Sequence, residues 1–65
     1  MQKNRIDSLR KKKGLSYGDI ARATGLTATY IYLLAKGKRT NPSLEVMQKI
    51  SSALEEKVEK VFQIN

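Results

Sequence analysis

Residues 16 to 39 constrain this chain more than any other stretch. They set two capping hydroxyls, one turn glycine and a broken apolar stripe in the order used by two short, steeply crossed helices. Ser16 and Asp19 form an S-x-x-D pair, in which the hydroxyl accepts from amides that lack a helical partner and the carboxylate reaches back to the Ser16 amide. This predicts a helix from about Tyr17 that puts Ile20 and Ala21 on one face and stops at Gly25, a residue able to turn the chain at positive φ. Leu26 plugs the corner and Thr27 caps again. Ile31 and Leu34, three residues apart, give the second helix its buried stripe as far as Gly37. A small residue at the crossing, a turn-maker and an apolar plug together describe a helix-turn-helix over about 16 to 37.

The flanks supply what two helices cannot bury by themselves. A first helix is predicted from about Asn4 to Lys13, with Ile6 and Leu9 inward, a Lys11-Lys12-Lys13 run at the negative end of the helix dipole and Gly14 as terminator. Leu15 returns the chain to the core. Beyond Gly37, Lys38-Arg39-Thr40-Asn41-Pro42 is a polar loop of the kind that touches a nucleic-acid backbone. Ser43 then caps a fourth helix whose Leu44, Met47, Ile50 and Leu54 recur at three and four residues. Val58, Val61 and Phe62 continue the period, either in a fifth helix or in an extension of the fourth. The expected core is Ile6, Leu9, Leu15, Ile20, Ala21, Leu26, Ile31, Leu34, Leu44, Met47, Ile50, Leu54, Val58 and Phe62. With no internal repeat or linker, residues 1–65 are expected to form one all-α domain of four or five helices.

Composition narrows the function classes. The chain has no cysteine and no histidine, so disulfides, thiolate chemistry and imidazole metal sites are excluded, and no cofactor or metal is expected. An enzyme is not expected either, because no nucleophile–base pair can be assembled and the acids are scattered. No apolar run approaches the roughly 20 residues of a membrane span, and the amino terminus has no signal-like segment. The expectation is a soluble, cytoplasmic chain without membrane contact. The net charge of +7 is segregated. Through Pro42, ten Lys or Arg stand against Asp7 and Asp19, a balance of +8; afterwards three Lys face four Glu, a balance of −1. Cations gathered on the half that carries the motif point to a polyanion, and double-stranded DNA suits a helix-turn-helix better than a lipid surface does.

Gly14-Leu15-Ser16, Ile20-Ala21, Gly25-Leu26, Ile31, Leu34, Gly37-Lys38 and Asn41-Pro42-Ser43-Leu44 stand where the lambda and 434 repressor and Cro superfamily, the XRE family, has similar residues. The chain resembles that family over nearly its whole length. Thr40-Asn41-Pro42-Ser43 followed by Gln48-Lys49-Ile50-Ser51 is most similar to its Bacillus sporulation and biofilm repressors. The resemblance implies a compact lambda-repressor-like fold and a sequence-specific transcriptional regulator, a repressor of bacterial, phage or mobile-element type. Its recognition helix, about 28–36, would lie in the major groove.

Helical spacing puts Thr27, Ile31 and Leu34 on one side of that helix with Ala35 near them, and Thr29, Tyr32, Leu33 and Lys36 on the other, with Ala28 exposed at the amino end. The resemblance assigns base contact to Ala28, Thr29 and Leu33, with Tyr32 beside them, and phosphate contact to Tyr17, Lys36, Lys38, Arg39 and Asn41. Ala35 stands where the family has a glutamate paired with the arginine matching Arg10, which frees Arg10 for phosphate or for Asp7 one turn earlier. Methyls, a threonine hydroxyl and a phenol offer few bidentate base contacts, so the expected readout leans on the thymine 5-methyl. Tyr30, at the edge of the buried stripe, reads as a packing residue. A two-fold homodimer on DNA is expected, with a monomer or weak dimer free in solution; Val61, Phe62 and Ile64 are the residues that could extend an apolar contact. The competing class is a protein-interaction module on the same scaffold, such as an anti-repressor, antitoxin or excision cofactor, using Tyr30, Tyr32 and Leu33 as exposed apolar surface.

Overall fold

A computed structural model describes residues 4–62. Five helices follow one another: α1, Ile6–Lys13; α2, Tyr17–Thr24; α3, Ala28–Ala35; α4, Leu44–Ala53; and α5, Val58–Val61. Among the described residues there is no strand, only an isolated antiparallel bridge between Asn4 and Phe62 that ties the two ends together. None of these helices is long and apolar enough to cross a membrane.

The capping chemistry fixes three of the five helix starts. Ser16 accepts from the Asp19 amide at 2.9 Å while Asp19 accepts from the Ser16 amide at 2.9 Å, a reciprocal box that opens α2. Thr27 and Ser43 accept from the amides three residues on, at 3.1 and 3.2 Å, and open α3 and α4. Gly25 ends α2 at φ 78°, a left-handed conformation that a side chain disfavours, and this swings α3 across α2. α1 begins at Ile6 rather than near Asn4, because Asn4 is used otherwise: its side chain accepts from the Ile6 amide at 3.1 Å and donates to the Leu34 carbonyl at 2.8 Å. α3 ends at Ala35, before Gly37, where the chain takes φ 75°.

Ile6, Leu9, Ile20, Ile31, Leu34, Ile50, Leu54, Val61 and Phe62 form the core, with Leu15, Ala21, Leu26, Met47 and Val58 packed against it. α2 packs on both α3 and α4, and α4 on α5. Two sequence expectations are corrected here. Leu44 is not in the core but 57% exposed. Full burial in α4 lies towards its carboxyl end, at Ile50 and Ser51 and then at Leu54, and in the first turn Val46 and Met47 pack against the core where Leu44 does not. Val61 and Phe62 are fully buried, which removes them as a surface for a second copy. Ile64 lies outside the described residues.

The fifth helix is separate from the fourth. Glu55 adopts φ 58° after α4, so a non-glycine residue makes the left-handed break. The turn is held by bonds from the Glu55 and Glu56 amides to the Ser52 and Ser51 carbonyls, each 3.0 Å. Glu56 then pairs with Lys13 of α1 at 3.3 Å and with Lys60 of α5 at 3.5 Å. These bonds tie α5 and the turn before it to the end of α1.

Candidate nucleic-acid interface

α3 divides cleanly between an inner and an outer side. Ile31 and Leu34 are buried, whereas Thr29, Tyr32 and Lys36 are exposed, Tyr32 by 42%. Ala28 and Leu33 are half-buried, so the outer face is narrower in apolar surface than the spacing alone implies. All four residues expected to meet bases therefore sit on or at the margin of one helix face. That face is short enough for its amino-terminal turn to enter a major groove end-on.

The cationic loop folds back on the same helix. The amides of Lys38 and Arg39 both donate to the Leu33 carbonyl, at 2.9 and 3.2 Å, satisfying a group that the end of α3 would otherwise leave without a partner. Their backbone is thus anchored while both side chains face solvent. The Arg39 guanidinium lies over the Tyr30 ring, 5.2 Å from its centroid, and the Lys36 ammonium lies 5.8 Å from the centroid of Tyr32. Tyr30 is half-buried against the core, as a packing residue should be, and also carries the Arg39 guanidinium on its ring. Asn41, exposed at φ 57°, turns the loop toward Pro42. Lys36, Lys38, Arg39 and Asn41, all exposed, border the carboxyl end of α3, with Lys36 on the Tyr32 side of the helix and Arg39 on the Tyr30 side.

Arg10 and Tyr17 both meet the Asp7 carboxylate, which is one of the two partners that the sequence offers Arg10. The Arg10 guanidinium donates to Asp7 Oδ1 through Nε at 3.1 Å and Nη2 at 2.6 Å, and to the Leu15 carbonyl at 3.3 Å. It also covers the Tyr17 ring at 4.2 Å from the centroid. With alanine at position 35, Asp7 is the acid within reach, and Arg10 turns to it. The Tyr17 hydroxyl donates to the same Asp7 Oδ1 at 2.8 Å instead of pointing at solvent. Asp7 Oδ2 pairs with Lys11 at 3.4 Å and with Lys36 of the α3 border at 3.7 Å.

One carboxylate therefore gathers four partners, two as hydrogen-bond donors and two as ion-paired lysines. The Tyr17 hydroxyl first and Arg10 next hold the Asp7 carboxyl well below the ordinary aspartate range. Burial, then the bond to Asp7, pushes the Tyr17 phenol up, and the bond to Asp7 raises Arg10. The Tyr17 ring in turn meets Tyr32 edge-on, with centroids 5.6 Å apart and planes at 85°. The sequence showed Asp7 and Arg10 at i, i+3, a helical pairing distance. The links from Asp7 to Tyr17 and Lys36 are tertiary and left no periodic signal.

Similarity to known proteins follows the same boundaries. The helix-turn-helix family model matches residues 6–61. The chain is 34% identical over 53 residues to the HTH-type transcriptional regulator SlrR of Bacillus subtilis, covering 82% of this chain and 35% of that one. It spans about a third to a half of the length of the curated relatives SlrR and SinR. Among solved structures, the restriction-modification controller protein C.AhdI from Aeromonas hydrophila matches with a TM-score of 0.80 at 34% identity, over 86% of this chain and 83% of that one. SinR, a master regulator for biofilm formation solved in complex with DNA, matches with a TM-score of 0.78 at 33% identity, over 85% and 87% of the two chains.

Proposed function

The chain belongs to the helix-turn-helix family, and from that premise we propose that it is a sequence-specific, double-stranded-DNA-binding transcriptional regulator that inserts α3 into the major groove. The observation that carries this reading is the union of one exposed helix face with a cationic border, Lys36, Lys38 and Arg39, on the half of the chain whose charge balance is +8. Ala28, Thr29, Tyr32 and Leu33 meet the bases. Lys36, Lys38, Arg39 and Asn41 meet phosphates, while Arg10 and Tyr17 act within the fold. The lambda-repressor-like resemblance favours repression, exerted in the cytoplasm. SlrR and SinR, both transcriptional regulators by name, point away from an enzyme.

Assembly follows from size. A face of eight helical residues reads too few base pairs for a useful specificity ratio, so two copies bind related half-sites about a two-fold axis. Burial of Val61 and Phe62 in their own core supports a chain that is monomeric or weakly dimeric until DNA aligns two copies. The interaction-module reading loses its motivation on the same grounds. Tyr30 is stacked under Arg39 and Leu33 is half-buried, which leaves Tyr32 as the large exposed hydrophobic of that region.

The test is selection of bound sequences from a random duplex library, followed by sedimentation with and without the selected site. An inverted repeat bound by two copies, with little association of the free chain, is the expected result. A tight dimer without DNA, or a selected site lacking any repeat, contradicts the assembly, and failure to enrich any sequence contradicts the regulator itself.

A further inference from the structure

Tyr32 is the exposed ring of the proposed reading face, yet it has little of its own backbone's rigidity to fix its direction, since an exposed side chain samples rotamers freely. Two contacts restrain it: the edge of Tyr17 on one side and the Lys36 ammonium on the other. Both restraints end at the same group. Tyr17 donates to Asp7 Oδ1 and Lys36 pairs with Asp7 Oδ2. The closed circuit Asp7–Tyr17–Tyr32–Lys36 joins α1 and α2 to the reading face, with Arg10 closing it from above by lying on the Tyr17 ring.

We propose that Asp7, an acid on a helix outside the motif, is the positioning residue of the reading face: it sets the direction of Tyr32 through Tyr17 and the place of Lys36 directly, and so contributes to base discrimination without touching DNA. This rests on the reading of α3 as the recognition helix. Its physical content is an opposition of two effects. A carboxylate beside a polyanion site repels DNA of every sequence and neutralises a border lysine, so it lowers indiscriminate affinity. The same carboxylate orders the groups that read bases, so it raises affinity for the right sequence. An acid at this location trades one for the other, and specificity is the difference between them.

That opposition supplies a test with opposite signs. Asp7→Ala removes the anchor of both restraints and adds one unit of positive charge. Affinity for a random duplex should rise, with a salt dependence steeper by up to about 0.9 as Lys36 becomes free for phosphate. Affinity for a selected site should rise less or fall, so that the ratio of selected to random binding drops severalfold. A rise of equal size on both duplexes overturns the proposal, because charge alone then accounts for Asp7.

A measurement on the free protein separates this proposal from the reading of α3. In the edge-on arrangement each tyrosine ring feels the ring current of the other, so Tyr32 ring-proton NMR shifts report the contact. Those shifts should move toward random-coil values in Asp7→Ala and also in Tyr17→Phe, which keeps the ring but removes its bond to Asp7. Unmoved Tyr32 resonances in both variants overturn the proposal whether or not DNA is bound. If no duplex is ever selected, the regulator reading fails while the ring measurement still decides the circuit.

Discussion

The Asn4 side chain donates to the Leu34 carbonyl at 2.8 Å, joining the segment ahead of α1 to the last turn of α3. Leu34 is itself buried, so this bond ties the approach to α1 to the inner side of α3. The same side chain accepts from the Ile6 amide at 3.1 Å and acts as a cap one residue early for α1. Asn4→Ala removes both bonds and should destabilise by about 1–2 kcal/mol, at the usual net value per bond. Denaturant titration checks this; a change inside the error of the extrapolation would mean that the two helices hold each other without Asn4.

Ser51 presents the opposite case. It is 2% exposed in the middle of the α4 packing surface, and among the described residues its hydroxyl makes no hydrogen bond. A buried hydroxyl without a partner costs stability, and alanine fits a helix better than serine does. Ser51→Ala should be neutral or stabilising, by up to about 1 kcal/mol. A clear loss of stability would reveal a bond to Ser51 formed in solution.

Acid should weaken the fold through three carboxylates held below their ordinary range. Asp7 is lowered by Tyr17 and then Arg10, Asp19 by the Ser16 backbone amide and then the Ser16 side chain, and Glu56 by Lys13 first. The folded chain binds these protons more weakly than the unfolded chain does. Their stabilisation is therefore complete above the unfolded values near pH 4 and is lost as pH falls from there through the lower folded ones. Thermal melts taken from neutral pH downward should show a flat melting temperature above about pH 5 and a progressive fall below about pH 4. Asp7→Ala should shallow that fall, and an unchanged acid slope would contradict the role given to this carboxylate.

The border cations should act on all sequences alike. Lys38→Ala and Arg39→Ala should each weaken binding to selected and random duplexes together and flatten the dependence of log affinity on log salt by about 0.9. Fluorescence anisotropy across a salt series measures both. A change in base preference with the slope intact would show that the loop reads bases instead of phosphates.

The capping residues made most of this fold legible in the sequence. Ser16 with Asp19, Thr27 and Ser43 are each short polar side chains ahead of an apolar period, and each caps the helix it was expected to cap. What stayed hidden depended on the tertiary setting. Glu55 breaks the chain at φ 58° without the glycine that would announce it, and Leu44 keeps the stripe spacing of its helix while Val46 and Met47 take the places against the core. Arg10 had two destinations in the sequence, and the bond from Tyr17 to the Asp7 that Arg10 pairs with comes only from the fold. The pairing of Arg39 with Tyr30 was equally invisible, because eight residues, including the turn at the end of α3, separate them.

The claim at the centre is that the outer face of α3 reads bases in the major groove, and its apolar character makes that claim measurable. Ala28, Thr29, Tyr32 and Leu33 match the thymine 5-methyl, the apolar group that the major groove displays. Burying one such methyl contributes on the order of 0.8 kcal/mol. Replacing each thymine of a selected site in turn by deoxyuracil removes the methyl and leaves the base-pairing edge intact. At least one replacement per half-site should weaken binding severalfold, and Leu33→Ala should abolish the difference between thymine and uracil at that position. If every thymine can be replaced without loss, the outer face of α3 does not read bases through the methyls of the groove.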